Sequence, residues 1–116
     1  MNEGDVVLMP FLQADGQTKN RPALVLRVMP PFGDMLVCGI SRQLRHQVAD
    51  FDEVIADTDA DFVSSGLKDT SLIRLGFLAL LPVSEFLGDI GSLSTERHHR
   101  LLCRLANHLQ EPTLES

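Results

Sequence analysis

The side chains best equipped for chemistry in this sequence are an early set of cations, Lys19, Arg21, Arg42 and Arg45, with the hydroxyl of Ser41 and the imidazole of His46 among them. A guanidinium keeps its charge at any cellular pH and can grip two oxygens of a phosphate at once. Arg21 stands where a polar loop is expected to meet a strand, a place that holds a working side chain on a rigid scaffold. Lys19 in that loop, and Arg42 and Arg45 just after Ser41, can add contacts that position a phosphate backbone. Taken singly, each is equally an ordinary solvated charge, and Ser41 an ordinary serine ending a strand.

The other titratable groups offer less. His98 and His99 are adjacent on an expected helix, so their side chains point about 100° apart and cannot grip one atom together. A helical metal pair needs i and i+4 spacing instead. His46 stands alone in the polar segment after Ser41, and an imidazole titrates near neutrality, so it is a candidate for proton transfer or for holding substrate. Asp50, Asp52, Glu53, Asp57, Asp59 and Asp61 crowd one segment but lack the glycine and terminal glutamate of a calcium loop. That run is expected to be a solvated hairpin or loop, with no metal bound. Cys38 and Cys103 lack CxxC spacing and read as two free, buried thiols. Glycine-rich phosphate loops and a nucleophile elbow are missing, so no cofactor is expected.

The elements that must position these groups are short strands. Val6–Met9 reads as a first strand closed by Pro10, and Gln13–Asn20 as a polar loop with an Asp-Gly turn signal. Pro22 precedes a strand over Ala23–Met29, and Pro30–Asp34 breaks the chain before a strand at Met35–Ile40. Val48–Ile55 contains a short strand, and Asp57–Ser65 is a polar excursion. Ser71–Pro82 is a long β-like run in which Gly76 suggests a bulge or sharp bend. Val83–Leu87 reads as a short helical turn. Ser94 or Thr95 caps a final helix, where Leu101, Leu102, Leu105, Ala106 and Leu109 make one apolar stripe and Arg97, Arg100 and Arg104 lie on another face. Pro112 stops it. The pattern predicts a mainly β, α+β fold: a small barrel or curled antiparallel sheet capped by one amphipathic helix.

Residues 1–116 are expected to form one domain, with an aliphatic core, since the chain has six Phe and neither Trp nor Tyr. Met1–Asp5 has the character of neither a secretory signal nor an anchor, and no apolar run approaches the roughly 20 residues a spanning helix needs. A cytoplasmic protein without a membrane partner is expected. The net charge of −6 is not the usual footprint of a nucleic-acid binder, although the first 49 residues, free of the acidic run, are slightly basic. Without Trp or Tyr, Phe11 and Phe32 are the aromatic platforms near loops on which unpaired bases could stack.

Gly4-Asp5-Val6-Val7-Leu8, Arg21-Pro22-Ala23-Leu24-Val25-Leu26 and Cys38-Gly39-Ile40-Ser41 together resemble, in order and spacing, the opening blocks of the PemK/MazF toxins of type II toxin-antitoxin systems. The Arg-Pro block is the most specific. Ser71–Leu75 resembles a later strand of that family, and Leu87–Leu93 the turn before its last helix. The resemblance implies an SH3-like barrel, usually a homodimer, inhibited by a cognate antitoxin. It also implies a metal-independent endoribonuclease acting on single-stranded RNA. By the same resemblance Arg21 is the catalytic arginine and Ser41 the second active-site residue, more often Thr in the family. Lys19, Arg42, Arg45 and His46 are then the candidates for RNA binding. A relative of the same fold, CcdB, poisons DNA gyrase and cuts nothing, so a non-nuclease binding protein or a degenerate family member is the alternative.

Overall fold

Ala23-Leu24-Val25-Leu26 is apolar without alternation, the mark of a strand covered on both faces, and each of these residues is fully buried. They lie in the central part of a six-stranded sheet. The computed structural model describes residues 1–113 and gives β1 (Asp5–Leu12), β2 (Thr18–Met29), β3 (Asp34–Ser41), β4 (Glu53–Ile55), α1 (Phe62–Ser65), β5 (Ser71–Leu81), β6 (Gly88–Ser92) and α2 (Thr95–Gln110). The strand order is β4-β5-β3-β2-β1-β6, and every pairing is antiparallel. The sheet curls into a half-barrel, and α2 closes one face, so the mainly β architecture expected from the sequence is the one adopted.

Each face carries its own apolar cluster. Val6, Leu24, Leu26, Cys38 and Ile40 point toward α2 and pack with Leu101 and Leu105. Val7, Met9, Ala23, Val25, Met35 and Val37 point the other way and pack with Phe86. Strand β5 serves both clusters because its register breaks: Gly39 pairs with Arg74 but Cys38 with Leu78, leaving Leu75, Gly76 and Phe77 without β3 partners. The odd-numbered insertion reverses the facing of β5 side chains. Ile73 and Leu75 therefore face α2, whereas Phe77, Ala79 and Leu81 join the opposite cluster. The bulge foreshadowed by Gly76 is present, and its freed Leu75 N–H donates to the buried Asp52 carboxylate (3.0 Å).

Several boundaries differ from expectation. Strand β1 does not end at Pro10 but runs on to Leu12, pairing Pro10 with Asn20. Proline is tolerated there because the β6 ladder stops at Leu8↔Gly88, so Pro10 lies on a free edge. Correspondingly β2 starts at Thr18, and Lys19 and Arg21 sit in a strand rather than in or beside a loop. Residues 88–92 are an edge strand, not only a turn; two glycines and no β-branched pair had hidden it. Close approach is the reason for one of them: a Cβ on Gly91 would collide with the Ser64 carbonyl, where α1 lies against β6. The stripe of α2 is shorter than expected, since Ala106 and Leu109 are exposed beyond the sheet.

The largest departure concerns the acidic run: Asp50 and Asp57 are exposed as expected, but Asp52, Glu53, Asp59 and Asp61 are not part of a solvated loop. Arg97, only 7% exposed, donates to both oxygens of Asp61 (2.9 and 3.0 Å), to Glu53 (2.8 Å), to Asp59 (2.9 Å) and to the Val54 carbonyl (3.2 Å). Arg100 and Arg104 add ion pairs to Glu53. The face of α2 adjoining its buried leucines thus clamps the 52–61 segment against the helix. The Arg97 hydrogen bonds hold the Asp61 carboxyl at about 2, against an ordinary 3.8. Burial alone would raise Glu53, but the Arg100 hydrogen bond and the charges of Arg100, Arg97 and Arg104 outweigh it and lower its pKa. The thiols also divide: Cys38 is buried, and desolvation pushes it up to about 12, whereas Cys103 is exposed, contrary to expectation.

Candidate active site

Arg21 and Ser41 come together because β2 and β3 are neighbours in register. Ala23 pairs with Gly39, Leu24 with Cys38 and Val25 with Val37, and carrying that register on by two residues sets Arg21 opposite Ser41. Across β1, Arg21 pairs with Met9. Both Arg21 and Ser41 line two adjoining hollows and form the ridge between them.

The first hollow, about 220 Å³, is bounded by Phe11, Phe77, Gly39, Gln43, His46 and Arg74 with Met9, Pro22 and Ile40. Phe11 and Phe77 meet with ring centroids 5.7 Å apart at 40°, and the Arg21 guanidinium lies 5.2 Å above the Phe11 ring. Gly39 admits Phe77 by having no side chain: a Cβ there would stand 2.9 Å from Phe77 Cδ1. The second hollow, about 350 Å³, takes Lys19, Arg42, Lys68 and Asp69 along its rim. Gly66, at φ +73, belongs to its wall, and its backbone runs against the Ile90 carbonyl too closely for any Cβ.

Charge is distributed unevenly across these surfaces. Among the described residues no carboxylate lines the first hollow, and Asp69 is the one lining the second, held by Arg42 at 3.3 Å on an exposed rim. Arg21 and Arg74 have no ion-pair partner among the described residues. Arg21 Nε is buried without a hydrogen-bond partner among the described residues. A buried donor left unmade costs roughly 1–3 kcal/mol, so native proteins rarely keep one without use. Ser41 Oγ accepts from the Gln43 N–H (3.0 Å), which fixes the oxygen and leaves its proton free to donate into the site.

The groups singled out from the sequence therefore divide. Arg21, Ser41 and His46 converge on the first hollow, while Lys19 and Arg42 flank the second. Arg45, in the 3₁₀ turn at Leu44–His46, is exposed and lines neither. Phe11 belongs to the site, but Phe32 is 86% exposed in the β2–β3 connection, at the far end of β2 from Arg21. His98 and His99 are occupied elsewhere, His98 Nε2 by the Leu26 carbonyl (2.9 Å) and His99 by Cys103 Sγ (3.5 Å). Sequence reasoning missed Arg74 and Lys68. Arg74 did leave a signal, a charge inside the apolar run Leu72–Leu75, where only an open face tolerates it. Lys68 left none.

A comparison with curated protein sequences gave no match. Residues 2–109 match the family described as PemK-like, MazF-like toxin of type II toxin-antitoxin system, and the chain belongs to that family.

Proposed function

We propose that this member of a toxin-antitoxin family is an endoribonuclease that cuts single-stranded RNA, with the ridge of Arg21 and Ser41 as its catalytic centre. Membership of the family implies an antitoxin partner. The observation that carries the nuclease reading is the orphaned Arg21 Nε beside a site with no carboxylate in the first hollow. A phosphodiester docked on the ridge gives the unpaired Arg21 guanidinium a counter-charge, and its own charge is met by a preorganised group.

In this mechanism the ribose 2′-oxygen attacks the adjacent phosphorus and the bond to the 5′-oxygen breaks. The products are a 2′,3′-cyclic phosphate, which opens to a 3′-phosphate, and a 5′-hydroxyl. Arg21 grips the non-bridging oxygens as their charge rises, and the free Ser41 proton donates to one of them. One proton must leave the 2′-hydroxyl and another must reach the departing oxygen. His46 is the histidine on the rim of the first hollow, and its ring nitrogens are placed to take up or give a proton there. Lys19, Arg42 and Lys68 guide neighbouring phosphates along the second hollow. A metal is not required in this scheme, since the cationic side chains perform the charge stabilisation. The enzyme works as a single-domain homodimer in the cytoplasm. The dimer reading rests on Leu78 and Leu80, exposed on β5 beyond its short pairing with β4.

A second reading keeps the fold and discards the cutting: a binding protein in the manner of CcdB, or a degenerate toxin. The apolar floor of the first hollow and the net charge of −6 favour it. Incubation of the purified protein with a long single-stranded RNA in EDTA decides between them. The expected result is discrete fragments with 5′-hydroxyl ends, absent with Arg21→Ala. Intact RNA at high protein excess, or equal cutting by Arg21→Ala, overturns the assignment.

A further inference from the structure

We propose that the first hollow is a base-reading pocket and that Arg74 selects guanine there, next to the cut. The position relative to the cut rests on the nuclease reading; the pocket itself does not. Arg74 reaches this place through the β5 register. It pairs with Gly39, which pairs with Ala23, two residues along from Arg21 on the same face of the sheet. The missing side chain at Gly39 lets Phe77, carried in from the bulge, pack onto the backbone between Arg74 and the site ridge.

The shape and lining favour a base over a phosphate. At about 220 Å³ the hollow lies below the roughly 300–1,000 Å³ of pockets for drug-sized ligands, so it suits a single planar group. Phe11 already carries the Arg21 guanidinium, which leaves Phe77 as the ring available for stacking. A phosphate against these aromatic walls would lose its hydration, whereas a base gains by stacking. Phosphates have better hosts beside the ridge, in Lys19 and Lys68.

The charged lining is donor-rich. Arg74 is a rigid fork of N–H groups, and among the described residues no carboxylate stands in the hollow to receive a base amino group. The edge that fits such a fork has two neighbouring acceptors. Guanine offers O6 and N7, the pair that arginine reads bidentately. Adenine places an amino donor beside N7, and uracil sets an N–H beside each carbonyl. Cytosine offers O2 and N3 but with its amino group alongside.

Short uridine-rich oligonucleotides, 2′-deoxy throughout so that they cannot be cut, test this by equilibrium binding. Each carries one central guanine, 7-deazaguanine, adenine or cytosine. The wild type is expected to prefer guanine over adenine or cytosine by about 5- to 150-fold, the range of one good bidentate contact. The 7-deaza base should lose part of that preference, and Arg74→Met should abolish it while leaving the thermal midpoint near wild type. Arg74→Lys should keep overall affinity and lose the preference, because it keeps the charge but not the fork. Absence of binding, equal binding of all four, a preference for cytosine, or a guanine preference that survives Arg74→Met overturns the inference. So does a uniform weakening of all four by Arg74→Met, which would mark Arg74 as a phosphate contact. A guanine preference in binding, with the matching ribo-oligonucleotide left uncut, would sink the nuclease reading and leave the pocket standing.

Discussion

Arginine is used in two opposite ways in this chain. Around Arg97 every guanidinium donor has a partner, and Glu53, Asp59 and Asp61 close round it. Among the described residues, a buried donor of Arg21 has no partner, and Arg74 nearby has no counter-ion. The first arrangement is complete and can only hold the fold together. The second is incomplete, and what would complete it is an anion or an acceptor-rich base. The net charge of −6 lies wholly outside the α2 clamp, whose three carboxylates and three arginines cancel. Among the described residues no carboxylate lines the first hollow and Asp69 is the one lining the second, so the overall sign says little about the local field at the ridge.

If the clamp is structural, Arg97→Ala should be the most damaging change, costing about 3–5 kcal/mol, as removal of one partner from a buried ion pair does. Urea unfolding measures it, and a loss below 1 kcal/mol would break the contrast. Arg21→Ala should show the reverse pattern. It should leave stability unchanged or slightly improved, while cleavage falls by about 10²–10³-fold, the scale for one lost transition-state donor. Ser41→Ala should lower the rate by about 10- to 100-fold, on the scale of a hydrogen bond to a charged group, and Ser41→Thr should preserve it. The absence of any difference between those two variants would remove Ser41 from the mechanism.

Acid offers a milder test of the clamp. The folded pKa of Asp61 is lowered to about 2 from 3.8, so its contribution is complete above the unfolded value and lost as pH falls from about 4 to 2. Stability measured by thermal unfolding should drop through that window, and Asp61→Asn should flatten the drop. The smallest effect is expected at the second hollow. Lys19→Ala or Lys68→Ala should each weaken RNA binding a few-fold and make the slope of log affinity against log salt shallower by about 0.7, the single-strand value per phosphate contact. An unchanged slope would place that lysine outside the RNA path.

How much of this was legible in the sequence depended on the range of the signal. The mainly β fold, the terminal helix with its Ser94 cap and the bulge at Gly76 were visible, because periodicity, capping and glycine placement act within a few residues. The extended hairpin of β1 and β2 was not. Pro10 and the polar stretch Thr18–Asn20 argued against strand, and edge position with cross-strand pairing overrode both. Strand β6 was hidden because its glycines answer to α1, which packs on it from elsewhere in the chain.

By itself the sequence determined the family, the fold class and the two residues at the ridge, since the Arg-Pro and Ile-Ser blocks are short, local patterns. Only the tertiary structure decided what the charges are for. Whether an arginine is saturated or left open depends on which carboxylates fold against it, and those partners lie far away along the chain, as Arg97 and Asp61 do. Helix α2 draws the acidic segment to itself, and the β5 register carries Arg74 to the hollow beside Arg21. Neither can be read from spacing, because a charge acts through distance in space and not through separation along the chain.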